Sequence, residues 1–172
     1  MLQTARAGDN AQVLEIARRL GGDPVVKKVT FNALHNLPNW MLGASLASLV
    51  PEAQRQFVAP WPDLVIAAGK RTVPIVRWIR AASGGRTKLV QIGRPRAKLA
   101  HFDLVISTPQ YGLPRLPNVV ELALPFASPL PVTPQEISYW TEEWKSLPRP
   151  WVMVSIGAGK FPQRLGECRF DD

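Results

Sequence analysis

The stretch that decides the fold is PDLVIAAGKRTVPIVRWIRAASGGRTKLVQIGRP, residues 62–95. Its apolar spacing predicts a buried strand over 63–68, a helix over 73–82 and a second buried strand over 88–92. The Gly84–Gly85 pair ends the helix, because glycine adopts the left-handed conformation that follows a helix without a Cβ clash. Two buried strands joined by one helix predict a parallel pair with a right-handed crossover.

This strand–helix–strand unit is strongly basic. Between Leu64 and Phe102 there is no Asp or Glu, whereas the whole chain has 21 basic and 13 acidic residues and a net charge of +8. Such a field attracts an anionic ligand or an acidic surface, although a solvated basic helix face has the same composition. The nine basic residues of the stretch are Lys70, Arg71, Arg77, Arg80, Arg86, Lys88, Arg94, Arg96 and Lys98.

Length and composition predict a soluble domain with a real core. The chain has 172 residues, and 46% of them are hydrophobic, which disfavours disorder. Cys168 is the single cysteine, and His35 and His101 lie far apart, so neither a disulfide framework nor a metal site is expected. No apolar run reaches the ~18 residues of a membrane span, and the first ten residues lack the apolar core of a secretory signal. We therefore expect a cytoplasmic protein without a metal or cofactor.

The remaining elements continue the alternation of helices and strands. A helix is predicted after Gly8, with Asp9 or Asn10 as its N-cap. Further strands are expected over 24–31, 101–108 and 118–124, and a short helix is expected within 40–49. This α/β alternation predicts a Rossmann-like, mostly parallel sheet with helices on both faces.

The carboxyl-terminal part reads as the start of a second α/β unit. Residues 126–132 are proline-rich and predict a linker, and Thr133–Glu136 is a capping box with proline at the first helical position. The apolar stripe of the helix that follows is typical of packing rather than of a ligand cage. The predicted organisation is a Rossmann-like domain over 1–128, a linker and capped helix over 129–150 and a truncated second domain over 151–172.

Three turns share one predicted geometry, in which a strand is followed by glycine and polar residues and then by a helix start. They are Gly8–Gln12, Gly69–Thr72 and Gly157–Lys160. In a doubly wound sheet such turns lie at the carboxyl ends of strands, where ligands bind, and a helix amino terminus favours phosphate. The candidate ligand-binding residues are Gly8, Asp9, Asn10, Gln12, Gly69, Lys70, Arg71, Thr72, Gln91, Arg94, Gly157 and Gly159.

Several of these candidates have a simpler structural interpretation. The glycines also suit a tight strand-to-helix turn, Thr72 can cap the helix after it, and Asp9, the one carboxylate candidate for proton transfer, serves equally as an N-cap. None of the turns is a GxGxxG motif, and Val154 and Phe161 exclude a Walker A loop at the third. Nucleic acid is disfavoured, because Trp78 is the only aromatic residue interleaved with the basic ones before Phe102.

Four segments resemble the mitochondrial fission family that is named for the elongated-mitochondria phenotype of plants. They are AGDNAQVLEIARRLG (7–21), PDLVIAAGKRTVPIVRWIRAASGGRTKLVQIGRPR (62–96), FDLVIST (102–108) and LPRPWVMVSIGAGK (147–160). The resemblance implies a glycosyltransferase-like fold of the GT-B type, in which two Rossmann-like halves face a cleft. It implies that this chain corresponds to the first half, and that a nucleotide-sugar or another phosphate-bearing molecule is the ligand of the whole protein. The plant members are linked to recruitment of a dynamin-related protein.

The chain departs from the family pattern at both ends. The family's first strand is replaced by MLQTAR, which predicts a gap in the sheet, and little follows the strand predicted over 151–156. We therefore expect no glycosyltransferase activity from this chain alone. One hypothesis is that Lys70, Arg71 and Arg94 line a cleft; the alternative is an interaction domain whose basic stretch contacts a protein partner or an anionic membrane. A degenerate fragment with neither role is a third possibility.

Overall fold

The computed structural model describes residues 1–21, 23–125 and 132–152. The chain divides into two compact units, Met1–Pro129 and Leu130–Asp172. The turn predicted at Gly157–Lys160, with its candidates Gly157 and Gly159, lies outside the described residues. Among the described residues the first unit contains six strands and four α-helices, and the second contains one α-helix.

Four parallel strands form the main sheet of the first unit. They are β3 (Leu64–Ala68), β4 (Lys88–Ile92), β5 (Leu104–Ser107) and β6 (Val119–Glu121), in the order β3-β4-β5-β6. The register places Leu64 opposite Lys88, Val90 opposite Leu104 and Val105 opposite Val119. The parallel α/β sheet predicted from the sequence is confirmed.

Helices cover both faces of this sheet, because apolar side chains of β3 point alternately to its two faces. Val65 and Ala67 belong to a core with the apolar face of α4 (Val73–Ala82), and Ile66 and Ala68 belong to a second core with α1 (Ala7–Arg19). Alternate residues of a strand point to opposite faces of a sheet. A strand that is apolar throughout is therefore buried on both sides. At the end of α4, Gly84 and Gly85 have positive φ angles, as predicted.

A short first strand is present, but it does not join the main sheet. Strand β1 is only Leu2–Gln3 and pairs in parallel with β2 (Lys27–Lys28), forming a separate two-stranded sheet. Leu2 packs into the core beside Val65, but no hydrogen-bonded ladder joins β1 to β3 in the described part of the chain. A two-residue strand is too short to complete the pairing of a five-residue neighbour.

Several predicted elements between residues 24 and 61 are wrong in extent. The strand predicted over 24–31 is reduced to β2, and the helix predicted within 40–49 is a single turn, α2 (Asn39–Leu42), followed by α3 (Pro51–Gln54). In short segments without clear apolar periodicity, packing against the core determines the secondary structure. Phe57 is buried there, and Trp61 packs against the same core.

The N-cap predicted for α1 is wrong, and Thr72 occupies the N-cap position of α4 without forming a capping bond. The N-cap of α1 is Arg6, so Asp9 and Asn10 lie within the first turn of the helix. Thr72 makes no capping bond to α4, because its hydroxyl donates instead to the carbonyl oxygens of Ala68 (3.2 Å) and Gly69 (2.9 Å).

The second unit contains the capped helix that the sequence predicted. Helix α5 (Pro134–Glu143) begins with Thr133 as N-cap, and Thr133 and Glu136 form a reciprocal capping box. Glu136 accepts a hydrogen bond from the Thr133 backbone, which lowers the pKa of its carboxyl group. No described helix in either unit is both long and apolar enough to cross a membrane.

Candidate functional site

Two of the three predicted turns meet at the carboxyl ends of the strands. Gly69 follows β3 directly and has a φ of 78°, and a Cβ placed on it would lie 3.3 Å from Oδ2 of Asp9. Asp9 itself lies in the first turn of α1 and forms a 3.9 Å ion pair with Arg6. The absence of a side chain at Gly69 therefore lets the two turns approach each other.

Two candidate residues that face the interior of the fold form hydrogen bonds to the Gly69 turn. Thr72 and Gln91 are both fully buried, and both donate hydrogen bonds to the Gly69 carbonyl, at 2.9 and 3.0 Å. The Gln91 amide also donates to Ile92 O, and its Oε1 has no hydrogen-bond partner among the described residues. Thr72 and Gln91 thus fix the position of the turn rather than present themselves at its surface.

The loops after β3 and β4 follow two paired strands, and one buried amide bonds both loops. Nδ2 of Asn39 donates to the carbonyl oxygens of Lys70 (3.0 Å) and Pro95 (2.8 Å). Lys70 follows Gly69, and Arg94 immediately precedes Pro95. The side chain of Asn39 therefore brings the backbone of two predicted cationic residues to the same edge of the sheet.

The basic residues divide into two groups. Lys70 and Arg94 are exposed and Arg71 is half-buried, and none of the three forms an ion pair in the described ranges. Arg77 and Arg80 are half-buried and bonded to the rest of the fold: Arg77 donates to Gly43 O and Arg80 to Thr87 O and His101 O.

One carboxylate neutralises basic residues near the start of β4. Asp103 forms ion pairs with Arg80 and with Lys88, the latter at 3.2 Å, and accepts a hydrogen bond from the Leu89 backbone. Burial lowers the pKa of Arg80 and also that of His101, which in addition lies near Arg77, Lys98 and Arg80. Lys70 and Arg94 therefore carry positive charge at the carboxyl ends of the strands, and Arg86, Arg96 and Lys98 are further exposed cations without an ion pair among the described residues.

The remaining candidates, Gly8, Asn10 and Gln12, belong to the first turns of α1. The side chain of Asn10 bonds the backbone of Thr4 twice, accepting from its N–H at 2.9 Å and donating to its carbonyl at 2.7 Å. It thereby holds the connection from β1 to α1. Gln12 is half-buried and lines a crevice of about 40 Å³ at the ends of β4 and β5.

That crevice contains residues that the sequence reasoning missed. Ser107 and Thr108 end β5, and Tyr111 lies against Gly93, 3.7 Å from a Cβ placed there. Thr108 is nearly buried, and its Oγ1 has no hydrogen-bond partner among the described residues. The strand-end rule, extended to the third strand, would have selected Ser107 and Thr108. No local signal identifies Asn39 or Tyr111.

The described residues contain no group of three or more His, Cys, Asp or Glu side chains that could hold a metal ion. The arrangement offers instead a carboxylate, two exposed cations and small polar side chains around glycine turns. These groups can bind an anion and position a hydroxyl group beside it.

Comparison with known proteins gives one family. Residues 7–165 match the sequence model of the family described as mitochondrial fission ELM1. The mitochondrial fission protein ELM1 of Arabidopsis thaliana is 28% identical over 150 residues, which cover 73% of this chain and 35% of the relative. The chain thus spans about a third of the length of that relative. No solved structure matches.

Proposed function

Because the chain belongs to the mitochondrial fission ELM1 family, we propose that residues 1–128 form the first half of a glycosyltransferase-like cytoplasmic protein. This half binds an anionic, phosphate-bearing ligand at the carboxyl ends of the strands. In the whole protein the ligand is a nucleotide-sugar or a molecule of similar charge. The chain alone binds without catalysing transfer.

The observation that carries this proposal is the pair of bonds from Asn39. They hold the Lys70 and Arg94 loops together at the strand ends, where open α/β sheets bind ligands. Lys70 and Arg94 are exposed there without a carboxylate partner among the described residues. A phosphate group would accept charge-assisted hydrogen bonds from both, and arginine offers a bidentate fork.

Asp9 determines on which side of the Gly69 turn an anion is expected to bind. Its carboxylate lies against Gly69, on the α1 side of the turn, and repels a phosphate group placed directly above it. The anion is therefore expected on the Lys70 and Arg94 side. A hydroxyl group next to Asp9 would instead find an acceptor for its proton. This separation suits a ligand that carries both a phosphate and hydroxyl groups.

The alternative, a contact with a protein partner or an anionic membrane through the whole basic stretch, requires Arg77 and Arg80 to be as available as Lys70. Both are half-buried, and their guanidinium groups are bonded within the fold. Lys88 is paired with Asp103. The bonds of Arg77, Arg80 and Lys88 favour a localised site over a broad basic face, but Arg86, Arg96 and Lys98 are also exposed, so membrane binding is measured alongside ligand binding.

The test measures binding of inorganic pyrophosphate and uridine diphosphate by titration calorimetry. We expect Lys70→Ala and Arg94→Ala each to weaken binding about tenfold, since a hydrogen bond to a charged group contributes about 1.5–3 kcal/mol. Arg86→Ala is the matched control. Arg86 is an exposed cation before the start of β4, at the opposite end of the strands, so its loss changes the net charge equally and leaves the site intact.

Two results of the calorimetry would contradict the proposal. One is a failure of wild-type chain to bind either probe saturably at millimolar concentration. The other is an equal loss of affinity in the Arg86→Ala control. If phosphatidylserine vesicles sediment the chain at low salt, and Arg86→Ala weakens this as much as Lys70→Ala, then a surface contact replaces the cleft. Turnover of a nucleotide-sugar would overturn the predicted inactivity.

A further inference from the structure

The crevice of about 40 Å³ lies at the ends of β4 and β5, beside the first turns of α1. We call it the Tyr111 crevice. None of the described residues that line it is charged, although half of them have polar side chains. A neutral lining of this kind suits an uncharged polar group, which a few polar side chains orient by hydrogen bonds. The polar lining residues are Gln12, Ser107, Thr108, Gln110 and Tyr111.

The fold itself uses little of the hydrogen-bonding capacity of this lining. Thr108 is only 9% exposed, and its Oγ1 has no hydrogen-bond partner among the described residues. The Tyr111 hydroxyl likewise forms no hydrogen bond to them. The Ser107 hydroxyl reaches the Thr108 carbonyl only at 3.4 Å, and the Gln12 amide reaches the Gly8 carbonyl only at 3.5 Å, which are longer than ordinary hydrogen bonds. Because buried hydroxyl groups nearly always have a partner, this lining is suited to a ligand that brings hydroxyl groups of its own.

The Tyr111 crevice is a neighbour of the proposed phosphate site. Asp9, which borders that site, and Gln12, which lines the crevice, are three residues apart in α1. They therefore share a helix face, with about 5–6 Å between their Cβ atoms. On the other side, the Tyr111 ring lies 3.7 Å from a Cβ placed on Gly93, and Arg94 is the next residue. One small molecule can therefore occupy both places.

The size of the crevice restricts the chemical class of the group that enters it. A water molecule has a share of about 30 Å³ in the liquid, so a volume of about 40 Å³ admits one or two hydroxyl-sized groups. The ring of a nucleobase is too large for it. A hydroxymethyl group or a pair of neighbouring hydroxyl groups has the right size and can both donate and accept hydrogen bonds.

We propose that the Tyr111 crevice is the hydroxyl-binding subsite of the cleft and that the ligand is a polyol phosphate, such as a sugar phosphate. Its phosphate group binds Lys70 and Arg94, and its hydroxyl end enters the crevice and bonds the hydroxyl groups of Thr108 and Tyr111. The inference rests on the proposed phosphate site and adds the class of molecule that the site selects. Gln12 completes the neutral lining from the α1 side.

The test compares two probes, sn-glycerol 3-phosphate and propyl phosphate, by NMR titration of the chain. Both probes have the same phosphate group and the same three-carbon chain, and they differ only in two hydroxyl groups. We expect the glycerol phosphate to bind about tenfold more tightly, which corresponds to one or two neutral hydrogen bonds. The ratio of the two affinities is the readout, because a change in phosphate binding alone cancels in it.

Two pairs of variants locate the hydroxyl groups. Thr108→Val and Tyr111→Phe should each lower the ratio to about threefold or less. Both variants should fold, because neither removes a side-chain hydrogen bond that the described fold contains, and the dispersion of the NMR spectrum checks this. Thr30→Val and Tyr139→Phe are the matched controls at exposed positions outside the crevice, and they should keep the tenfold ratio.

Three outcomes would overturn the subsite while leaving the phosphate site in place. The first is equal affinity for the two probes, which would mean that the crevice holds water only. The second is a ratio that both Thr108→Val and Tyr111→Phe retain. The third is a ratio that Asp9→Asn abolishes and Thr108→Val retains, because the hydroxyl groups would then bind beside Asp9. If neither probe binds at millimolar concentration, the proposed phosphate site is wrong, and the subsite is overturned with it.

Discussion

Replacing Asn39 with alanine tests how the site is held together. Asn39 is nearly buried, and its amide is shared between a buried carbonyl, that of Pro95, and a half-buried one, that of Lys70. A buried acceptor left without a donor costs about 1–3 kcal/mol. The Lys70 carbonyl, being closer to solvent, can recover part of its loss by bonding water. We therefore expect the variant to lower the free energy of unfolding by about 2–3 kcal/mol.

The assay is urea denaturation followed by tryptophan fluorescence and circular dichroism. Asn36→Ala is the matched control, because Asn36 is an exposed asparagine at the end of a short 3₁₀ turn. The control should change the free energy of unfolding by less than about 0.5 kcal/mol, as is usual for surface substitutions. If Asn39→Ala falls within the same limit, the amide does not hold the Lys70 and Arg94 loops as argued, and the strongest support for the cleft is lost.

Three further predictions concern single positions. Gly69→Ala should destabilise the fold by about 1–3 kcal/mol, because φ is 78° and the new Cβ meets Asp9, whereas Gly8→Ala, in helix α1 with open space around it, should be neutral or stabilising in the same denaturation assay. Asp9→Asn should strengthen pyrophosphate binding severalfold in calorimetry, since it removes a repulsive carboxylate; unchanged or weaker binding would contradict the assigned polarity. His101 has a pKa below its ordinary value of 6.5, first through burial and then through neighbouring cations. The unfolded state therefore binds more protons, stability falls as pH drops below about 6.5, and a pH series of urea midpoints should flatten in His101→Gln.

The central unit was predictable because its signals are local. The apolar runs of β3 and β4 and the helical spacing of α4 lie within 35 consecutive residues, 62–96, and Gly84 and Gly85 mark the helix end. The strands before and after it were less predictable, since β2 keeps only two residues of the expected eight. Its extent depends on the length of β1, which is its partner across the sheet.

The site was predictable only as far as topology defines it. The strand-end rule brought Asp9 and Gly69 together correctly, although they are 60 residues apart. It did not indicate which polar side chains face inward. Thr72 and Gln91, two of the ligand-binding candidates, are buried and bond the Gly69 carbonyl, and Asn39 acts across 31 and 56 residues of sequence. Such contacts appear only when the loops are assembled.

Because the first unit has a two-stranded and a four-stranded sheet, the two sheets are expected to unfold locally at different free energies. Amides of β4 are flanked by ladders on both sides, whereas β1 and β2 are joined by a few bonds only. Native-state hydrogen exchange should therefore show slow exchange at Leu89 to Ile92 and fast, locally opening exchange at Lys27 and Val29. Asp9 follows β1 of the fast-exchanging pair, and Gly69 follows β3 of the slow-exchanging sheet. A ligand that bridges both turns would slow exchange in β1 and β2 while leaving β4 unchanged.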